Sequence, residues 1–533
     1  MTRWAMIADL NRCVGCQTCT SACKHTNATP PSVQWRKVLD VEAGEFPNVK
    51  RAFVPVGCMH CEDPPCMHVC PSTATRQRPD GIVTIDYDIC IGCAYCAVAC
   101  PYQARFKIDK PLTAYGTPEM KHEAAREDPA RLGVAQKCTF CVDRIDFGLE
   151  NGLTPGLDAE ATPACVNSCI ADALHFGDLD DPDSNVSRLL KENKNFRMHE
   201  ELGTGPGFYY LWEKVDEKGQ AVDAPIDLVA QTMNDRPDAS DEAISHTGVA
   251  PWLQEHWDMR AAGNFMGGGA GAGLFLFIAL AAMFAGGSLM PLGLVALGLV
   301  GAGLFLVWLE IGRALRFLNV FRQPQRSWMT REAMVAAPFA VIGLAALALG
   351  NAVLGLIAAI TGLVFLYCQS RLLEQSKGIP AWRAQEIVPL IIATGLVEGG
   401  GLFVLFGGAA LWSGLAVLLF IGLRFFAWRV YRGALGRDGA PAGTFAAFEK
   451  ITRIFEFGGH ALPAVLIVIG LLTPPAGVIF VALGGLFAFA GGWLFKLVLV
   501  TAAAYNQGFA LERMPARGAG SSGPGIKPGW RHA

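Results

Sequence analysis

The chain has 533 residues, a formal net charge of −3, 52% hydrophobic and 17% charged residues, and 17 cysteines. A charge so close to balance excludes nucleic-acid binding through a basic surface, and the length allows three or four domains. Cysteine and apolar residues are unevenly spread: sixteen of the cysteines precede Ile170, whereas Phe265 to Tyr505 is mostly apolar with abundant Gly and Ala.

In chain order, the first predicted element is a short β-like run, AMIADLNRC, entering a loop that carries Cys13, Cys16, Cys19 and Cys23. A second group follows at Cys58, Cys61, Cys66 and Cys70. Then comes another β-like run, IVTIDYDIC, opening a third group at Cys90, Cys93, Cys96 and Cys100. Asp9 and Asp86 precede the two loops at matching positions and Gly15 and Gly92 lie inside them, so the stretches form an internal repeat of strand plus cysteine loop. Glycine there admits the positive φ that lets backbone N–H groups point at a bound cluster. The last group, Cys138, Cys141, Cys165 and Cys169, is split by a 23-residue insertion.

The third group reads C-x2-C-x2-C-x3-C-P, the bacterial ferredoxin run whose fourth cysteine ligates the other cluster of a pair. The first has the same spacing with Lys24 in place of the proline, and the second widens one gap to four residues. Sixteen thiolates at these spacings supply four [4Fe–4S] clusters with none left over. Disulfides need an oxidising compartment, and the start MTRWAMIADL has no basic-apolar-small signal pattern and no twin arginine. Zinc uses C-x2-C pairs, whereas a C-x2-C-x2-C triad is not a usual tetrahedral pattern. Cys368, alone in an apolar segment, reads as core packing.

Residues 178 to 262 thin out into acidic and proline-containing sequence, interrupted by the aromatic patch Phe208-Tyr209-Tyr210-Leu211-Trp212, which reads equally as local core or interface. This gives an α+β cluster domain over 1–219 and a linker over 220–262, laid along the membrane or a partner. An all-α membrane bundle over 263–510 and a cytoplasmic tail over 511–533 complete the chain.

Eight apolar segments are long enough to span a bilayer, at about 265–285, 289–309, 333–350, 351–368, 387–407, 409–428, 457–473 and 477–497. The glycine cluster Met266–Gly273 opens the first, where small residues permit close helix packing. The odd-to-even connections are very short and carry no Lys or Arg. The opposite connections (310–332, 369–386 and 424–453) and the tail together carry eighteen, Arg313, Arg316 and Arg424 among them. The positive-inside rule then puts both termini, and with them the cysteine-rich half, in the cytoplasm of a multi-pass inner-membrane protein.

The cysteine runs with their neighbours, V-G-C-M-H-C-E-D-P-P-C-x3-C-P, C-I-G-C-A-Y-C-x3-C-P-Y and K-C-T-F-C, resemble the four-cluster electron-transfer subunit of the dimethyl sulfoxide reductase family of molybdenum enzymes. The membrane half resembles the eight-helix quinone-binding anchor of the same enzymes through I-G-R-A-L-R-F-L-N (311–319) and S-W-M-T-R-E (327–332). Usually these are two polypeptides; here they are fused. Y-C-Q-S-R-L-L and K-G-I-P-A-W-R are similar to anchors of sulfite dehydrogenases and phenylacetyl-coenzyme A oxidoreductases. The resemblance implies a tandem bacterial-ferredoxin fold with crossed ligation. Cys13, Cys16 and Cys19 would pair with Cys169, and Cys138, Cys141 and Cys165 with Cys23. Cys58, Cys61 and Cys66 would pair with Cys100, and Cys90, Cys93 and Cys96 with Cys70. It further implies that the first pair of clusters faces a molybdopterin catalytic partner and that the last cluster faces the membrane. Where these anchors carry a quinone-site histidine, this chain has Glu310.

Charges inside a bilayer are costly and count as functional candidates by default. Glu310, Glu456, His460 and Lys496 fall at cytoplasmic helix ends, and Glu398 lies deeper in the fifth segment. Glu310, Arg316 and His460 are therefore candidates for a quinone site, and Glu398 for a proton path. The competing readings are snorkelling for Lys496 and an ion pair of Glu310 with Arg313 or Arg316. Only one histidine, His460, lies between 260 and 520, so bis-histidine haem is not expected. The reading is an electron-transfer and anchor subunit joining a cytoplasmic molybdopterin enzyme to menaquinone or ubiquinone. The rival is an ion-translocating redox module, which would show a chain of buried acids and lysines across the bilayer.

Overall fold

The structure, a computed structural model, describes residues 2–43, 50–116, 120–125, 128–214, 249–288, 290–408, 410–509, 511–514 and 523–526. Residues 220–248 of the expected linker, the last five residues of the expected cluster domain and most of the tail therefore lie outside the described residues.

The polar half is built on a four-stranded sheet. Strand β1 (Trp4–Asp9) is flanked antiparallel by β2 (Leu174–Asp178) and parallel by β4 (Phe208–Lys214), and β3 (Asn193–Phe196) pairs antiparallel with β4. Within the aromatic patch Phe208, Tyr210 and Leu211 are buried in β4, with the Tyr210 ring stacked on Phe196 and tilted against Phe208, while Tyr209 and Trp212 are half-buried. The internal repeat is visible in the backbone. The Asp9 carboxylate accepts the N–H of Asn11 at 2.9 Å and Asp86 accepts that of Asp88 at 3.0 Å. Gly15 and Gly92 both sit at positive φ, +69° and +72°. Each loop then turns into a short helix, Thr18–Asn27 or Tyr95–Val98, entered through a left-handed residue, Gln17 or Ala94.

Among the described residues, eight helices are long and apolar enough to cross a membrane: α1 (Met259–Ala285), α2 (Met290–Glu310), α3 (Trp328–Leu349), α4 (Ala352–Glu374), α5 (Ile387–Leu405), α6 (Leu411–Arg437), α7 (Ala442–Leu472) and α8 (Val478–Thr501). They run past the hydropathy boundaries mainly at the ends bearing the basic connections. Helix α1 is the packing centre. Its glycines meet backbone on two sides: a Cβ at Gly267 would stand 2.5 Å from Leu299 O of α2, and Gly273 faces Gly395 O and Gly399 Cα of α5. Without side chains in the way, the backbones approach closely, as the small-residue run implied.

The two halves dock through backbone. The amide of Gly312, just past α2, donates to Gly92 O at 3.2 Å, and that of Arg313 donates to Ile91 O at 3.0 Å. Gly92, Gly133 and Gly312 stack so tightly that a Cβ on any of them would collide with a neighbour's backbone. Around this contact Tyr95 donates to Leu372 O at 2.7 Å, Trp257 Nε1 to Cys93 O at 3.1 Å and Ser327 to Val69 O at 2.8 Å. The cysteine-rich half thus sits on the face that carries the basic connections. Replacing Gly312 with Ala, at a position whose own φ needs no glycine, should destabilise the docked state by roughly 1–3 kcal/mol through overpacking alone. Faster amide exchange around 310–316, with the sheet amides unchanged, would register it.

Candidate functional site

The structure gathers cysteines from separate runs around shared spaces. A cavity of about 320 Å³ is lined by Cys13, Cys16, Cys19 and Cys169, and one of about 310 Å³ by Cys70, Cys90, Cys93 and Cys96. In the remaining sets, Cys23 lies among Cys138, Cys141 and Cys165, and Cys61 among Cys58, Cys66 and Cys100. Among the described residues, no three His, Cys, Asp or Glu side chains converge closely enough to hold a single metal ion, so each set is a wide cage rather than a mononuclear site.

Two buried arginines fit such cages. Arg36 is fully buried; burial alone would push it down, but Cys165, Cys138, Cys19 and Cys23 around it hold it above the usual guanidinium range. Arg105 plays the matching part in the other pair, donating to Cys66 Sγ at 2.9 Å and to Thr75 at 3.0 Å. A buried cation beside four thiolates compensates the negative charge that a thiolate-ligated cluster carries into the interior. The donor sets and their counter-charges therefore fit thiolate-ligated [4Fe–4S] chemistry.

Directly beneath Cys93 is a mostly apolar chamber. Its walls come from both halves: Cys93 above, Trp257 beside α1, Asn264 and Phe265 in α1, Glu310 at the end of α2, Met329 and Glu332 at the start of α3, and Leu372 in α4. Glu310 is 5% exposed, and its Oε1 has no hydrogen-bond partner. Glu332 is 4% exposed; its Oε1 accepts from Asn264 Nδ2 at 3.0 Å and from Gln369 Nε2 at 3.1 Å, and no cation pairs with it among the described residues. Two buried carboxyl groups thus face one apolar chamber.

The other sequence candidates fall elsewhere. Arg316 does not line the chamber; its guanidinium donates to Tyr87 O at 2.6 Å and Cys90 O at 3.3 Å, clamping the third cysteine run. Arg313 caps Leu132 O and Pro129 O, so neither arginine pairs with Glu310. Glu456 takes the Trp428 indole N–H at 3.0 Å. His460 lies in a π-helical turn of α7 (Ile454–Ala461), donates from Nδ1 to Phe455 O at 2.7 Å and accepts at Nε2 from Arg424 at 3.1 Å. Glu398 forms a fully buried ion pair with Lys496 at 2.6 Å. Lys496 therefore does not snorkel; it also donates to Phe265 O at 2.8 Å. Arg424 belongs to α6 rather than to a basic connection, is fully buried, and donates to Ala488 O at 3.0 Å and to Gly459 O.

Sequence reasoning missed Asn264, Glu332 and Gln369 because each lies one residue outside a hydropathy-defined span. An Arg424→Lys substitution should lower the stability of the detergent-solubilised protein by about 3–5 kcal/mol, as for a buried polar cluster deprived of a partner, since a single ammonium cannot reach His460, Ala488 O and Gly459 O together. A melting curve on the intact chain reads this directly.

Residues 49–115 match the 4Fe-4S dicluster domain model. The chain is 42% identical to a selenate reductase subunit of Mesobacillus selenatarsenatis, over 39% of this chain and 72% of that protein. It is 41% identical to a putative dimethyl sulfoxide reductase iron-sulfur subunit of Halobacterium salinarum, over 40% of this chain and 79% of that protein. Against a sulfite dehydrogenase subunit of Allochromatium vinosum the figures are 38%, 40% and 83%.

Proposed function

Since the chain belongs to the family of iron–sulfur electron-transfer subunits of dimethyl sulfoxide reductase-type oxidoreductases, here joined to eight membrane helices, we propose that it links a molybdopterin catalytic subunit to the membrane quinone pool. The observation that carries this reading is the chamber beneath Cys93, where a cysteine of the third run and two buried carboxyl groups face one apolar space. The ligand sets are those given above, and four bound [4Fe–4S] clusters would supply one-electron carriers from the exposed Cys16 end to the Cys93 end. No haem is needed. The basic connections lie on the same side as the cluster half, which supports a cytoplasmic orientation in the inner membrane.

In this reading the protein's own groups bind and protonate the quinone. Trp257, Phe265 and Met329 give the ring an apolar slot. Glu310, with one carboxyl oxygen free, exchanges a proton with one quinone oxygen. Glu332, held in place by Asn264 and Gln369, exchanges one with the other. Arg316 acts on the cysteine loop instead, and His460 lies outside the chamber.

Glu332→Gln and Glu310→Gln should each retain full iron content and dye-linked electron transfer while slowing quinone turnover by roughly 10²-fold or more, the loss expected of a positioned acid–base group. Unchanged quinone kinetics in both would remove the chamber as the quinone site. The purified chain should also hold about sixteen iron and sixteen acid-labile sulfide, as four cubanes require; a value near eight would contradict the four-cluster assignment.

A further inference from the structure

Three buried cations of the cysteine-rich half take no part in binding quinone: Arg36, Lys137 and Arg105. Arg36 and Lys137 are wholly buried and Arg105 is 4% exposed, yet none of them pairs with a carboxylate among the described residues. A buried cation without a counter-charge is costly, so the groups around each one decide what it does.

Each lies where two of the crossed cysteine sets adjoin. The sets follow one another as those of Cys13, Cys138, Cys58 and Cys90, each with the partners given above. At the first junction Cys19 of the Cys13 set neighbours Cys165 of the Cys138 set, and the Arg36 guanidinium sits by both, with Cys23 and Cys138 also around it. Its Nη2 donates to Met6 Sδ at 2.9 Å, and its Nε and Nη1 have no hydrogen-bond partner among the described residues. At the second junction Cys138 neighbours Cys58. There the Phe140 ring, from between Cys138 and Cys141, stacks at 3.7 Å on the His60 ring, from between Cys58 and Cys61. Lys137 ties the two sides: Nζ donates to Cys138 O at 2.7 Å and to Val83 O, and the Val83 amide donates to His60 Nδ1 at 3.0 Å. At the third junction Arg105 donates to Cys66 Sγ of the Cys58 set at 2.9 Å and to Thr75 at 3.0 Å. The Thr75 amide in turn donates to Cys70 Sγ of the Cys90 set at 3.5 Å. Three junctions thus hold three cations.

Resting on the four-cluster reading of these sets, we propose that Arg36, Lys137 and Arg105 are potential-setting residues, each raising the reduction potentials of the two clusters between which it lies. An added electron is added negative charge, and a fixed cation in a poorly polarisable interior stabilises it. In each transfer one electron leaves one carrier and enters its neighbour; no bond changes and no proton moves. The electrons are exchanged with quinone at the Cys93 end and with the catalytic partner or a one-electron dye at the Cys16 end. Because each cation adjoins both carriers of a transfer, losing it changes two potentials at once. Arg36 and Lys137 share the Cys138 set, and Lys137 and Arg105 share the Cys58 set, so their effects overlap stepwise along the chain of carriers.

The test is a redox titration of the full-length chain in detergent, with dye mediators, followed by electron paramagnetic resonance. Serine replacements of Cys16, Cys141, Cys61 and Cys93 assign the signals to their sets. R36M should lower the potentials of the Cys13 and Cys138 clusters, K137M those of the Cys138 and Cys58 clusters, and R105M those of the Cys58 and Cys90 clusters. Each of these shifts should be at least tenfold in the one-electron equilibrium, about 59 mV, and larger than any shift in the other two clusters. R36Q keeps a hydrogen-bond donor without the charge and should behave like R36M, whereas R36K keeps the charge and should return both potentials towards the parent values. Unmoved potentials, or an equal shift of all four, overturn the proposal. Should the neutral variants lose their iron, the parent decides. Grown with arginine whose guanidinium carries a heavy nitrogen isotope, its reduced clusters should show coupling to that nitrogen in pulsed resonance spectra, and absence of the coupling overturns the proposal. A parent holding about eight iron rejects the four-cluster reading itself. Four clusters with unmoved potentials reject only the role of the cations.

Discussion

The contact of three glycines, Gly92, Gly133 and Gly312, is the constraint on which the rest depends. Backbone-to-backbone approach at this distance leaves no room for a side chain, so the third cysteine loop lies directly on the end of α2. That placement brings Cys93 over the gap between α1, α2, α3 and α4 and makes the loop the roof of the chamber. It also explains how the arginines of the 310–332 connection are used. Arg313 and Arg316 reach carbonyls of the cysteine-rich half, so residues that read as a topology signal also hold the two halves in register.

The interior of each half handles charge by the same rule. Arg36 and Arg105 sit among thiolates, and Arg424 and Lys496 sit with a carboxylate and backbone carbonyls. A buried cation is tolerable only where acceptors surround it, and in both halves the acceptors come from segments distant in sequence. The arginines near the cages tie together cysteine runs that are separated along the chain. This gives the crossed sets a physical reason to form as pairs rather than as independent loops.

Much of the architecture was legible in the sequence because its causes are local. The cysteine spacings, the Asp–Gly repeat and the eight apolar segments each depend on neighbours a few residues apart, and all reappear in the structure. The crossed sets were legible only through resemblance, since no spacing within one run says which distant cysteine completes it. The chamber was half legible. Glu310 stood out as a charge at a helix end, whereas Asn264, Glu332 and Gln369 looked like ordinary loop residues because hydropathy stops a span at its first polar residue. Arg424 was hidden in the same way, counted with a basic connection although α6 continues to Arg437. His460 and Arg316 misled because nearness to the membrane face along the sequence says nothing about which side of a helix a residue occupies.

The π-helical turn at Ile454–Ala461 has a consequence for how this sequence can vary. A π turn holds one residue more than the α-helix around it, and the widened backbone presents Gly459 O and Phe455 O to the Arg424 guanidinium and the His460 ring. Deleting one residue there would close the turn to regular α-helix, leave the flanking turns nearly in register, and withdraw the widened carbonyls. Arg424 would then keep Ala488 O on α8 but lose the carbonyl of Gly459 on α7. In this helix, length is as much a part of the charge balance as composition, so a one-residue gap between related sequences at this turn should be accompanied by loss of the arginine on α6.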